Sequence, residues 1–172
     1  MWILAAGPVA LLMLGVLADY SKIWLSRVEL QSAVEAAAQA GVKVWGDGAD
    51  SGPNRSAARL AAQAFGQANT VNGATFTIGA NDNGTGLDND NNNNANCPAG
   101  EVVLGRLAAG VLDTTASNPI AADERCCLVR KTFSVTSFGS FFGGPYTINV
   151  QAVARYDGGS VRLSEITSVT CP

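Results

Sequence analysis

The chain opens with an uninterrupted apolar block of 18 residues. No charged residue occurs in residues 1–18, and Tyr20, Lys22, Trp24 and Arg27 follow directly. A helix of that length spans about 27 Å, close to the thickness of a bilayer core. Aromatic and basic residues are typical of the point where such a helix meets water. The pattern therefore predicts a helix embedded in a membrane or in the core of an assembly.

Two other interpretations of this block are a buried helix of a soluble core and a secretory signal peptide. A signal peptide is disfavoured, because no basic region precedes the block and residues 21–45 stay helical in pattern without an evident cleavage boundary. Lys22 and Arg27 would hold the following chain on the cytoplasmic side, whereas the cysteines favour an oxidising compartment. A basic leader removed ahead of Met1 would reconcile the orientation that Lys22 and Arg27 favour with the compartment that the cysteines favour. Intact-mass analysis of native protein would test that hypothesis.

Residues 21–45 are amphipathic and continue the same helix. The side predicted to pack contains Ile23, Leu25, Val28, Leu30, Val34, Ala37, Ala38 and Gly41. The small residues of the segment 35–41 permit close approach of another backbone. That backbone is either a neighbouring subunit's helix or this chain's own sheet, and both remain open.

A second, shorter helix is predicted after a break at several glycines. It runs from Asn54 to about Ala68, with Pro53 near its start. The residues predicted to form its buried stripe are Leu60, Ala61, Ala64 and Phe65.

Beyond Gly73 the hydrophobic period changes to two. Segments rich in Val, Thr, Ile and aromatic residues alternate with Gly, Asn and Pro clusters, which predicts about five β-strands. These segments are residues 74–80, 101–107, 127–135, 146–156 and 160–169. A helix ahead of an antiparallel sheet gives an α+β fold in which the helix covers one face of the sheet. We therefore divide the chain into an N-terminal helix, residues 1–45, and an extracytoplasmic head domain, residues 46–172.

The net charge and the residue composition exclude several classes of function. The net charge is -3 and histidine is absent. The charge provides no cationic field for nucleic acid, and the commonest general base and transition-metal ligand is missing. No nucleophile, base and orienting residue can be combined at a readable spacing. We expect a structural protein that is not an enzyme and has neither a nucleic-acid partner nor a small-molecule substrate.

An Asn- and Asp-rich segment, residues 81–97, carries oxygen ligands at alternating positions. Calcium prefers about six to eight oxygen ligands in a flexible loop. The candidate ligands are Asp82, Asp88, Asp90, Asn92 and Asn94. The segment lacks the central Gly and the distal Glu of an EF-hand, so it is not that motif. A calcium site is one interpretation and a solvated low-complexity loop is the other; no further cofactor is indicated.

The cysteines all lie in the C-terminal part of the chain, at Cys97, Cys126, Cys127 and Cys171. Their spacing is not that of a zinc site, and an even number fits disulfides in an oxidising compartment. The adjacent Cys126 and Cys127 point to opposite faces of a strand and are not expected to bridge each other. We predict Cys97 and Cys171 as their partners, with the pairing left open.

Residues 9–41 combine an apolar run, an acidic residue, a basic residue and a helix of the pattern Leu-Gln-x-Ala-x-x-Ala-Ala-Ala. The residues at these places are Asp19, Arg27, Leu30, Gln31, Ala33, Ala36, Ala37 and Ala38. This segment resembles the N-terminus of TadE/TadG-like proteins of the tight-adherence (Flp) type IV pilus system. Residues 101–107 and 128–159 are similar to that family's strand, its Phe-Phe-Gly motif and its Ala-Val-Ala strand.

The resemblance implies a pilin-like fold and no catalysis. It implies a minor pilin or pilus-assembly component, or the main building block of a filament. Our leading interpretation is a subunit that polymerises through its N-terminal helix into an extracellular pilus for adhesion, with copies of itself or other pilin-like subunits as partners. The alternatives are a membrane-anchored minor pilin or assembly factor, and a calcium-dependent binding module on a membrane stalk. The implied location is the bacterial cell surface, after insertion into the inner membrane.

The candidate assembly residues are Asp19, Lys22 and Arg27. Asp19 pairs either with Lys22 one turn on or with a basic residue of another subunit. Ordinary type IV pilins carry a glutamate near the start of the mature helix, whereas the first carboxylate here is Asp19, so the resemblance does not extend to that assembly register. The segment 138–144 is either an exposed adhesive patch or a buried turn, and we predict burial of at least Phe141 and Phe142.

Overall fold

The computed structural model describes residues 2–79, 100–114, 119–136 and 145–170. Two helices are followed by strands that form one main sheet and one short ribbon. The elements are α1 (Trp2–Asp47), α2 (Gly52–Gln67), β1 (Thr70–Val71), β2 (Ala74–Thr75), β3 (Val102–Ala108), β4 (Val111–Asp113), β5 (Arg125–Val135), β6 (Tyr146–Asp157), β7 (Ser160–Ser164) and β8 (Ser168–Thr170). The α+β prediction is confirmed.

The first helix, α1, is continuous over 46 residues. The apolar block and the amphipathic segment behind it therefore share one axis, as their sequence pattern predicts. Helix α2 begins at Gly52, with a proline in its first turn, where the missing N–H costs no helical hydrogen bond. The predicted start at Asn54 was two residues late.

The main sheet has the strand order β7-β6-β5-β3-β4-β8. The longest strand pair of the sheet is the β5–β6 hairpin, which extends from the pair Cys126 and Arg155 to the pair Val135 and Tyr146. All pairings are antiparallel except that of β4 with β8 at the edge. Among the described residues the sheet thus has six strands, where about five strands were predicted.

Two of the predicted strands differ from the structure. The segment 160–169 is two strands, because residues 165–167 leave β7 and cross to the opposite edge of the sheet as β8. In the described part of the segment 74–80, which ends at residue 79, only Ala74–Thr75 pairs, with Thr70–Val71 in a separate ribbon. Its following residues, Phe76 and Ile78, are buried in the core without joining the ladder, so their alternation reflects packing.

The sheet is strongly curled. β7 ends at Ser164 and β8 begins at Ser168, yet the two strands form opposite edges. A step of that length reaches about 14 Å at full extension, whereas the edges of a flat six-stranded sheet lie about 24 Å apart. The edges must therefore approach each other. Thr167 ties the crossing segment to the β3–β4 turn, where its N–H donates to the carbonyl of Gly110 at 2.8 Å.

The main core lies between the helices and one face of the sheet. The small residues of α1 bring its backbone close to α2 and β5. A Cβ added at Gly41 would lie 3.0 Å from the sulfur of Cys127 and 3.1 Å from the Cβ of Ala62. Ala37 and Ala38 are fully buried in the same cluster. Within the described residues, this side of the 35–41 segment packs against its own chain.

Two predicted packing faces are partly wrong. Leu25 and Val28 are exposed on α1, because the face that meets the head is offset from them. On α2 the predicted stripe points outward, with Leu60 54% and Phe65 57% exposed. The buried residues of α2 are Arg55, Ala58, Arg59, Ala62 and Gly66. Close contact with α1 requires the small residues on the inner face, and bulky side chains would hold the helices apart.

A second, smaller core lies on the other face of the sheet. Its buried residues are Val103, Leu112, Cys126, Leu128 and Val153. Ile166 and Val169 pack against this cluster from the crossing segment and β8. The chain that curls the sheet therefore also covers its second face.

Candidate functional site: the apolar arm of α1 and its junction with the head

The most exposed apolar surface of the described residues is the stretch of α1 from residue 7 to residue 18, here called the apolar arm. Its large hydrophobic side chains are 45–71% exposed. These are Val9, Leu11, Leu12, Met13, Leu14, Val16 and Leu17. Because they surround the helix and not one face of it, lipid or other protein must cover the arm on all sides.

The arm and the residues of α1 that precede it together have the dimensions of a membrane span. Among the described residues one helix is long and apolar enough to cross a bilayer, judged by length and composition. From Trp2 to Asp19 the helix rises about 27 Å, which approaches the thickness of the hydrocarbon layer. The two glycines of the arm, Gly7 and Gly15, also lie on its open surface, since a Cβ added at either would meet no atom within 4 Å.

The contact of α1 with the head begins at Asp19, the first α1 residue after the arm. Asp19 is only 7% exposed and has an interaction partner. Ile23, Ser26 and Leu30 follow on the same side at helical spacing, and they are buried or partly buried against the head. The arm therefore passes into the packed part of α1 without a spacer.

The three candidate assembly residues have different surroundings. Lys22 donates from its ammonium to the carbonyl of Thr136 at 3.0 Å, which ties α1 to the end of β5. Asp19 is buried in its own subunit, whereas Arg27 is exposed. Arg27 lines a shallow surface depression on α1 together with Trp24 and Glu35. The structure thus separates Arg27 from the other two.

The opposite end of α1 is held by a buried ionic cluster that the sequence pattern did not reveal. The carboxylate of Asp50 accepts hydrogen bonds from Arg55 at 2.8 and 3.0 Å, from the N–H of Ile120 at 2.6 Å, and from the indole of Trp45 at 3.1 Å. Burial by itself raises the pKa of Asp50, but these hydrogen bonds together outweigh it and hold that pKa below its ordinary value.

Arg125 caps the C-terminal end of α1. Its guanidinium donates to the carbonyls of Trp45 at 2.5 Å and Gly48 at 2.6 Å, and to that of Ile120 at 3.1 Å. The last carbonyls of a helix have no partner within the helix and carry partial negative charge. A cation at this end both donates hydrogen bonds to them and compensates their charge. The first strand residue of β5 thereby fixes where the helix ends.

A more exposed cluster lies beside this cap. Asp47 accepts from Lys43 at 2.8 Å and from the hydroxyl of Tyr156 at 2.8 Å. These hydrogen bonds lower the pKa of Asp47 and raise those of Lys43 and Tyr156. Together with the Arg125 cap, it ties the C-terminal end of α1 to β5 and β6.

The described cysteines are both buried and form no disulfide with a described residue. Cys127 packs in the main core and Cys126 in the smaller one, so they face opposite sides of the sheet. Burial raises the pKa of Cys126 to about 12 and raises that of Cys127 further above its ordinary value. Their predicted partners, Cys97 and Cys171, lie outside the described residues, so the disulfides remain a prediction.

Other predicted features also lie outside the described residues. They are the five calcium ligands of the segment 81–97 and the phenylalanines of the segment 138–144. Within the part of the chain that the structure describes, no group of three or more His, Cys, Asp or Glu side chains is arranged to hold a metal ion. The calcium hypothesis is therefore untested.

Comparison with known proteins bears on the arm and the helix behind it. No curated protein and no solved structure matches the chain. A family model does match, and it covers residues 1–50, which contain α1 and the turn after it. That match agrees with the resemblance seen at Asp19, Arg27 and the alanine-rich helix. Residues 1–50 thus match the Tad family, described as TadE/G-like with an inferred role in Flp pilus assembly.

Proposed function

We propose that the protein is a structural, non-enzymatic component of an Flp-type pilus system, anchored in a membrane by its apolar arm and carrying its head outside the cytoplasm. The main observation in support of this proposal is the arm itself, which projects from the head with apolar side chains exposed on all sides. The family match to residues 1–50 supports involvement in a pilus system. The buried cluster around Asp50 and Arg125 suits this role, because it holds the C-terminal end of α1, the helix that carries the arm, in the head.

Fractionation of cells that produce the tagged chain tests the anchor. We expect the protein in the membrane pellet after carbonate extraction. The double variant L11K/L14K places two charges in the bilayer core and should leave that pellet, because each charge opposes insertion by several kcal/mol, roughly 3 at the helix centre. The matched control L60K/L163K makes the same exchange at exposed leucines of the head and should stay in the membrane. Equal behaviour of the two variants would contradict the anchor.

A second candidate is the polymerising subunit, in which the arm packs against the arms of neighbouring copies. One observation favours it over a permanently membrane-bound assembly factor. Exposed apolar side chains continue on the head, above the arm, at Leu25, Val28, Val44, Leu60 and Phe65. Lipid around the arm cannot cover Val44 or Phe65, which line a groove between α1, α2 and β7, whereas a neighbouring subunit can.

Stoichiometry separates the two candidates. In sheared surface filaments a polymerising subunit is the main chain by mass spectrometry, and cryo-electron microscopy places α1 in the filament core. An assembly factor stays in the membrane fraction and occurs in filaments only in traces. In the first case, the substitution F65E should reduce filament yield while leaving the protein level in the membrane unchanged.

A further inference from the structure

We infer that the end of the head at which β5 stops and β6 starts lies in the lipid headgroup layer of the membrane that holds the apolar arm. The partner is the interfacial layer of a phospholipid bilayer. The contacting side chains are Tyr20, Trp24 and Tyr146, together with Lys22. This inference rests on the proposed anchoring of the arm and adds to it a second contact, made by the head.

The first step is the absence of a spacer between arm and head within the described α1. The helix is continuous, and Asp19, the residue after the arm, is already buried against the head. A head on a flexible linker can stand away from a membrane. A head that packs on the same helix, directly behind the membrane-spanning stretch, is held at the membrane surface.

The second step locates the end of β5 along the helix axis. The ammonium of Lys22 lies 3.0 Å from the carbonyl oxygen of Thr136, the residue after β5. Lys22 is three residues beyond Asp19, and three residues of helix rise about 4.5 Å. The end of β5 therefore lies within the reach of one lysine side chain from the first turn of α1 after the arm.

The third step adds the start of β6. Tyr146 is paired with Val135, the residue before Thr136, so its backbone lies at the same level as the end of β5. The rest of the hairpin leads away from the arm: Gln151 lies beside Gln31, with a 3.4 Å hydrogen bond, and Gly159 beside Lys43 at 3.1 Å. The β5–β6 end is thus the membrane-proximal end of the head, and the β6–β7 turn is the distal end.

The fourth step is the chemistry at this level. The headgroup layer on each side of a bilayer is about 5 to 8 Å thick, which covers α1 from Asp19 to about Trp24. Tyr20 and Trp24 are exposed there on α1, and Tyr146 is 36% exposed on β6. Tyrosine and tryptophan favour the interface because a polar group sits on an apolar ring, and lysine favours it through the anionic phosphates.

Tryptophan quenching in vesicles tests this placement. The reporter is Y146W in the full chain with Trp2 and Trp24 changed to Phe, reconstituted into phosphatidylcholine brominated near the top of the acyl chain. Trp45 is fully buried near the distal end of α1 and contributes a constant background. The control L163W sits opposite Ala154, eight residues along β6 from Tyr146 and about 26 Å away. A third protein, with L14W, reports on the arm.

We expect Y146W to be quenched and its emission to be blue-shifted relative to L163W, which stays unquenched, while L14W is quenched. A second reporter, T147W, occupies the next, exposed position of β6 at the same level and should also be quenched. If both β6 reporters behave like L163W while L14W is quenched, the head stands clear of the membrane and the inference is wrong, with the anchor intact. If L14W is unquenched as well, the anchor itself fails, and the inference with it.

Discussion

The carboxylate of Asp50 and the guanidinium of Arg55 form a two-point ion pair, at 2.8 and 3.0 Å, in which the Asp50 side chain is fully buried and that of Arg55 is 5% exposed. Asp50 precedes α2 and Arg55 lies in its first turns, so the pair closes the corner between the two helices. The Arg55 guanidinium also lies 5.3 Å from the ring centre of Trp45 on α1. The corner is therefore held by charge, hydrogen bonding and packing at once.

Removing the charge of Asp50 should destabilise the head strongly. In D50N the guanidinium of Arg55 stays buried without its counter-charge, which costs about 3 to 5 kcal/mol. Denaturant unfolding of the full chain in detergent measures the loss. The matched control is D47N, whose partner Lys43 is largely solvated, and it should lose clearly less stability. Equal losses in the two variants would show that the buried pair of Asp50 and Arg55 contributes no more stability than the exposed pair of Asp47 and Lys43.

The same pair predicts the response to acid. The pKa of Asp50 in the folded protein lies below its ordinary value, so the ionised carboxylate contributes stability at pH values above the unfolded pKa. That contribution is lost as the pH falls through the folded pKa, which lies below about 4. We therefore expect the difference in melting temperature between wild type and D50N to be constant near neutral pH and to shrink at pH values below about 4. A difference that grows on acidification would contradict the assignment.

Gly46 should not tolerate a side chain. A Cβ at this position would lie 1.9 Å from Cδ2 and 2.2 Å from Cγ of the Tyr156 ring. Relief of that overlap must move the ring or the helix, and we expect G46A to lose about 1 to 3 kcal/mol of unfolding free energy. The control G15A has open space around it in the apolar arm and should leave head stability unchanged. A G46A protein as stable as G15A would show that the Tyr156 ring moves aside without loss of stability.

The thiols of Cys126 and Cys127 should be inert in the folded protein. Both are buried, and the pKa of Cys126 is raised to about 12. At pH 8 almost no thiolate forms, and iodoacetamide reacts with the thiolate. After mild reduction without denaturant, peptide mapping should find both residues unmodified, and denaturation should expose them. Rapid labelling of either residue in the native state would contradict their burial.

The helical and strand patterns already contained much of this structure. The uncharged block of residues 1–18 predicted the apolar arm, because helix length and side-chain polarity are local properties. The alternation in residues 127–135 and 146–156 predicted β5 and β6, since successive side chains of a strand point to opposite faces of the sheet. The position of the head directly behind the arm followed from the amphipathic segment that continues the same helix.

Contacts between distant residues decided the rest. β4 and β8 are three residues long and exist because β3 supplies a partner for β4, and β4 for β8. The outward face of α2 carries Leu60 and Phe65, since close approach to Gly41 and Ala37 of α1 selects Ala62 and Gly66 for its inner face. Hydrophobicity alone assigns the bulky residues to the core, and the size of the gap between two helices overrules it.

The sequence by itself determined that the chain has an apolar arm and a sheet-containing head, because those features depend on neighbours along the chain. Only the tertiary structure decided how the C-terminal end of α1, the helix that carries the arm, is held in the head. Asp50 meets Ile120, and Arg125 meets Gly48, across about 70 residues or more. A buried charge is tolerated only where such remote partners converge on it, and no local pattern records that convergence.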